Sequence, residues 1–136
     1  GGGQCDASKA QGTQIVSVTL DPAGTTLWSN DGSVSGVPKA VVEDKNTLKV
    51  EFQNSGDVTL TNVNVNASID GQKLPTQTVT LVEAGKSATA SFPFENGAVQ
   101  YDGDTPLVVT VEPVKCETNK ENNVAKFKVL FQLGGQ

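Results

Sequence analysis

Polar and apolar positions alternate along most of this chain with the period of two that a strand with one dry and one wet face produces. The clearest run is Thr47–Gln53, where Leu48, Val50 and Phe52 alternate with Lys49, Glu51 and Gln53. Ahead of it, Ile15–Leu20 sets Val16, Val18 and Leu20 on one face against Ser17 and Thr19 on the other. Asn62–Asp70 follows with Val63, Val65, Ala67 and Ile69 inward. Its Asp70-Gly71 ending predicts a tight hairpin, because that pair tolerates the positive φ angles the turn demands. Thr76–Leu81 returns with Val79 and Leu81 inward, and Pro75 just before it removes a ladder donor and marks an edge. Ser87–Phe94 carries Ala88, Ala90, Phe92 and Phe94 on one face. Leu107, Val109 and Val111 form the next run, stopped by Pro113, and the last has Phe127, Val129, Phe131 and Leu133 on one face.

Seven such runs with no helical period between them predict an all-β, seven-stranded antiparallel sandwich over residues 14–136, with 1–13 as an N-terminal tail or linker. Because antiparallel strands reverse at each connection, loops can be assigned to ends. The start of the first strand, Asn54–Thr61, the turn at Gly85 and Val114–Asn123 share one end. The Asp21–Asn46 connection, Asp70-Gly71, Glu95–Asp104 and the C-terminus share the other. Chain ends at opposite poles suit a bead in a string or a domain held out on a stalk. The 26 residues Asp21–Asn46, between the first two strands, are too many for a structureless loop. They hold the sole Trp, Trp28, beside the turn signal Asn30-Asp31-Gly32. Two readings compete: an extra hairpin whose Trp28 caps the core, or a recognition loop with an aromatic platform.

Composition narrows the class. Val (19) and Thr (14) dominate with 14 Gly and 10 Asn, a strand and turn vocabulary. The absence of His and Arg excludes a Ser-His-Asp triad, a His metal ligand and an arginine phosphate clamp, so no enzyme is expected. Ten Lys against fifteen Asp plus Glu give a net charge of −5, which opposes nucleic-acid binding. No apolar run reaches the ~18 residues of a membrane span, so a membrane anchor would lie outside this chain. Cys5 precedes the first strand and Cys116 lies in the last long loop, at the same pole. Their pairing would contribute about 4–5 kcal/mol by loop-closure entropy and would imply an oxidising, extracytoplasmic compartment; the alternative is two free thiols. Gln4 is not the small residue that precedes a lipidated cysteine.

The stretches Leu48-Lys49-Val50-Glu51-Phe52-Gln53-Asn54-Ser55-Gly56-Asp57, Asn62–Gly71, Leu81-Val82-Glu83-Ala84-Gly85-Lys86-Ser87, Val109–Pro113 and Glu117–Asn123 together resemble the CARDB family, over about Thr47–Leu133. The resemblance implies an immunoglobulin or fibronectin type III-like sandwich from a bacterial or archaeal cell-adhesion-related protein. The chain departs from the family pattern in its long second segment, its cysteines and Glu112. Asn54, Gly56, Asp57, Gly85, Asn122 and Asn123 read first as loop-closing residues, whose side-chain amides and free φ angles satisfy backbone groups. Their rival is a calcium site, with Asp57, Glu112, Glu117, Glu121, Asn119 and Asn122 as oxygen donors at one pole. Asn66-Ala67-Ser68 is a formal glycosylation sequon. At the other pole Trp28, Asp31, Asp70, Tyr101, Asp102 and Asp104, with further acidic neighbours, form a candidate contact surface for a basic protein. The expected function is a non-catalytic extracytoplasmic module for adhesion, protein contact or spacing at the cell envelope. The alternative is a calcium- or carbohydrate-binding accessory module.

Overall fold

The computed structural model describes Cys5, 8–117 and 120–134. Ten strands build two facing sheets: β1 (Thr13–Asp21), β2 (Thr25–Ser29), β3 (Lys39–Val42), β4 (Lys45–Asn54), β5 (Leu60–Ile69), β6 (Gln72–Lys73), β7 (Gln77–Val82), β8 (Ser87–Glu95), β9 (Thr105–Val111) and β10 (Val124–Leu133). The first sheet has the order β2-β1-β4-β8, and the second runs β3-β10-β9-β5, with β6 and β7 both flanking β5. The expected all-β sandwich is present, and its helical content among the described residues is two 3-10 turns, Asn96–Ala98 and Glu121–Asn123. The seven expected runs correspond to β1, β4, β5, β7, β8, β9 and β10. The other three strands lie where turns and the long segment stood.

Burial of the alternating residues is what holds the sheets together. Leu48, Val50 and Phe52 of β4 face Val63, Val65, Ala67 and Ile69 of β5 across a dry interior that also takes Phe92 and Phe131, all essentially solvent-free. Each fully buried Phe, Leu or Val side chain is worth about 1.5–3 kcal/mol against exposure. Asp70 (φ 52°) and Gly71 (φ 80°) form the two-residue turn between β5 and β6, with Ile69 opposite Gln72. As Pro75 indicated, β7 is an edge strand, paired with β5 alone. Pro93 also sits on an edge strand, β8, opposite Thr47.

Three facing assignments differ from simple alternation. In β1 the register against β4 slips between Ile15 and Ser17, so Val16 bulges; Ile15, Val18 and Leu20 are buried, and Val16 is half-buried. In β5, Asn62 takes a left-handed φ of 54°, and the inward phase changes there. Leu60 and Val63, three residues apart, are both buried, and opposite them Val82 replaces Leu81 as the inward residue; Leu81 is 56% exposed. Leu133, at the far end of β10, passes the edge of the core and is also exposed.

The long segment is built into both sheets. β2 turns back along β1, with Leu27 buried and Trp28 half-buried against the core, as the hairpin reading required. The chain then crosses to the second sheet, where β3 pairs in parallel with β10, Lys39 opposite Leu130 and Val42 opposite Leu133. Asn46 closes the β3-β4 turn: its Oδ1 accepts from the Glu43 N–H (2.9 Å) and its Nδ2 donates to the Glu43 carbonyl (2.9 Å).

Candidate functional site

Two buried polar side chains, Asn54 and Glu117, organise the end of the sandwich where the Asn and Gly motifs meet. Asn54 is the last residue of β4. Its Nδ2 donates to the carbonyls of Val58 (2.8 Å) and Val82 (2.9 Å), and its Oδ1 accepts from the Gly56 N–H (3.0 Å). Its backbone N–H donates to Lys86 (2.8 Å) and its carbonyl accepts from Gly85 (2.9 Å). One residue thus joins the β4-β5 loop, the end of β7 and the β7-β8 turn. A Cβ on Gly56 would stand 2.4 Å from the Ala10 carbonyl oxygen, so no larger residue fits without moving the backbone. Asp57 and Ala10 exchange two bonds, Asp57 N–H to the Ala10 carbonyl (2.8 Å) and Ala10 N–H to Asp57 Oδ2 (3.0 Å). Ser55 N–H donates to Gly12 (3.0 Å), which laces residues 10–12 to the same loop.

Glu117 is the polar hub that sequence reasoning placed among cation ligands. Its Oε2 accepts from the Thr13 N–H (3.0 Å), and its Oε1 accepts from the Val114 N–H (3.1 Å) and Asn123 Nδ2 (2.9 Å). A buried carboxylate is tolerated only with such donors. Both oxygens are therefore engaged by N–H groups. Glu112 is directed elsewhere, onto the outer face of the second sheet, where Asn66 Nδ2 donates to its Oε2 (2.8 Å) and Thr76 Oγ1 donates to Asn66 Oδ1 (2.5 Å). Glu121 and Asn122 lie in the 3-10 turn before β10, and Asn119 lies outside the described residues. Among the described residues no group of three or more His, Cys, Asp or Glu side chains lies close enough together to hold a metal ion. The signal that Glu117 is an anchor was weak: it follows Cys116, which is tied to Cys5 by a disulfide with Cα atoms 5.5 Å apart.

At the opposite end the acidic residues remain in water. Asp70 Oδ1 accepts from Gln100 Nε2 (2.8 Å), which ties the β5-β6 hairpin to the loop carrying Tyr101, Asp102 and Asp104. The Tyr101 hydroxyl donates to the Asn96 carbonyl (3.0 Å), and the Asn96 N–H in turn donates to the Asp44 carbonyl (3.3 Å). The Tyr101 residue is 45% exposed, and its partial desolvation raises its pKa above the ordinary 10.0. Asp44, Asp70, Asp102, Asp104 and Tyr101 thus share this end. Trp28 and Asp31 do not. Ser29 lies opposite Ser17, in the middle of β1, and the Asn30 N–H donates to the Val16 carbonyl (2.9 Å), so the chain at Asp31 is heading away from the acidic end. Asp31 closes its own turn, accepting from the Ser33 N–H (2.8 Å) and the Ser29 hydroxyl (2.8 Å). Hydrogen bonds from Ser33, through side chain and backbone, and from Ser29 hold its carboxyl below the usual 3.8.

Trp28 and Tyr101 are also separated laterally, since β2 forms one edge of the first sheet and Tyr101 is bonded just beyond β8, the other edge. The paired aromatic platform that sugar stacking uses is absent from this arrangement. No helix among the described residues is long and apolar enough to cross a membrane.

Comparison with known proteins agrees with this architecture. No curated protein matches the chain. A CARDB domain from Pyrococcus furiosus, solved in complex with di-metal ions, superposes with a TM-score of 0.58 at 20% identity, covering 90% of this chain and 91% of that one. The 272–376 domain of a protein described as a cell surface protein from Methanosarcina acetivorans gives 0.55 at 27% identity, covering 85% and 89%. A β-glucosidase from Erythrobacter marinus gives 0.51 at 16% identity, but this chain covers only 16% of that enzyme, a likeness of fold alone. The CARDB family profile matches residues 31–127, from the turn after β2 to the middle of β10, and the chain belongs to the CARDB family of immunoglobulin-like domains.

Proposed function

We infer that this domain is a non-catalytic, extracytoplasmic spacer and contact module of a surface protein, and that its acidic end meets a basic protein or cell-envelope component. The observation that carries this reading is the division of labour between the two ends. At one, Asn54 and Glu117 are buried and occupied by internal hydrogen bonds, beside the disulfide. At the other, Asp44, Asp70, Asp102 and Asp104 stand in solvent beside an exposed tyrosine. Exposed acidic side chains around an exposed aromatic offer charge complementarity to a basic partner and an anchor for it. The Cys5–Cys116 bridge supports an oxidising location, and the 27%-identical neighbour described as a cell surface protein supports the envelope.

Retention of the purified domain on cell-envelope fractions, compared at low and high salt, tests this. The triple substitution Asp70→Asn, Asp102→Asn, Asp104→Asn is expected to remove salt-sensitive retention while leaving the melting curve in place. Tyr101→Ala is expected to weaken retention at every salt concentration. Retention indifferent to all four changes would refute the assignment of this end.

A further inference from the structure

We propose that the Cys5–Cys116 disulfide makes the domain a force-bearing link of fixed length, in which tension applied along the chain bypasses most of the fold. The inference rests on the spacer reading above, since only a module in a load-bearing string experiences tension along its chain. It follows from where the bridge is placed. Tension entering at Cys5 passes through sulfur to Cys116, at the same end of the sandwich. It then has one covalent route to Gly134, through Glu117 and β10. The bridge spans 111 residues of sequence, and β1 to β9 lie inside that closed loop. None of them lies in the covalent load path, and they meet tension only through their contacts with Glu117 and β10, whereas in the absence of the bridge β1 would be the first strand pulled.

The strand left in the load path is well placed to resist. β10 runs from the loaded end to the opposite one and is hydrogen-bonded on both sides, antiparallel to β9 from Val124 to Val129 and parallel to β3 from Leu130 to Leu133. Tension along its axis shears these ladders together instead of opening them one bond at a time. Its inward side chains Ala125, Val129 and Phe131 are buried, so extraction must also drag apolar surface out of the core. At the entry point Glu117 fastens the first loaded residues to Thr13, Val114 and Asn123.

The test is single-molecule extension of the whole chain, with handles at residues 1 and 136, under oxidising conditions and again after adding reductant to the same tethered molecule. Cys116 to Gly134 holds about 60 Å of extended chain, and the ten residues of β10 already span roughly 34 Å when folded. Rupture of the oxidised molecule is therefore expected to lengthen it by about 25 Å. After reduction the loaded chain runs from Cys5 to Gly134 and the gain rises to roughly 400 Å, more than tenfold. A Cys5→Ser, Cys116→Ser double variant should give the long gain without reductant, and circular dichroism reports whether it folds; the same-molecule reduction needs no variant. An oxidised gain of hundreds of ångströms, or a gain unchanged by reduction, would overturn the proposal. Loss of the acidic-end contact would leave these lengths untouched, so the two readings fail separately.

Discussion

Asn54→Ala should remove a large fraction of the domain's stability, because the side chain it deletes is buried and hydrogen-bonds backbone groups of both the β4-β5 loop and the end of β7. Asn54 is fully buried and bonds the Gly56 N–H, the Val82 carbonyl and the Val58 carbonyl. Val58 is half-buried and water can replace the lost donor there. Gly56 and Val82 are buried, and a buried group left without its partner costs about 1–3 kcal/mol, so the two together come to about 2–6 kcal/mol. Against a total of about 5–15 kcal/mol for a domain, such a loss moves a urea midpoint by roughly 2 M. Asn66→Ala is the matched comparison. Asn66 also makes two side-chain hydrogen bonds, to Glu112 and Thr76, but both are exposed, and about 0.5 kcal/mol is expected. Asn54→Asp keeps the shape while turning an oxygen toward the Val58 and Val82 carbonyls, and should cost at least as much as the alanine. Urea melts at neutral pH separate these outcomes. Equal losses at positions 54 and 66, or an Asn54→Asp variant as stable as the parent, would refute the account of Asn54 as a buried loop tie.

Phe52→Ala should destabilise by about 3–5 kcal/mol, because the ring is fully buried in the centre of β4, whereas Lys49→Ala should cost at most about 1 kcal/mol. Lys49 pairs with Asp21 at 2.7 Å, but both side chains are more than 40% exposed, so denaturant melts should separate the two variants clearly. Asp31 should titrate below 3.8 in the folded chain by carbonyl-detected NMR, and Ser33→Ala or Ser29→Ala should move it back up. A depressed folded pKa means that the contribution of Asp31 to stability is present above 3.8 and fades as the pH falls through its folded value. Trypsin cuts after Lys9, Lys115 and Lys120, so a non-reducing digest should contain Gly1–Lys9 linked to Cys116–Lys120, a species that disappears on reduction.

Alternation alone was enough to place β4, β8, β9 and the Val63–Ile69 part of β5 and to name their inward residues, because a side chain in a regular strand has only two directions and one of them must be dry. The Asp70-Gly71 turn and the edge position of β7 were equally legible, since backbone φ limits and a missing N–H act locally. What failed was phase wherever the ladder itself is irregular. The bulge at Val16 and the left-handed Asn62 each shift the inward set by one residue, and neither residue announces this, because the cause is pairing with a distant strand. The parallel pairing of β3 with β10 joins residues some 90 positions apart and leaves no periodic trace in four residues. The same limit applies to the polar sites. Asn54 and Gly56 stand close enough in sequence to read as a loop motif, but Glu117 looks like any surface glutamate until folding brings Thr13 and Asn123 to its oxygens. The acidic end was assembled from three separate loops, and Asp31 left it only because β2 folds back along β1. Local chemistry is written in the chain, whereas which carboxylates are buried, which meet, and which face solvent is decided by long-range packing, whose free energy belongs to no single segment.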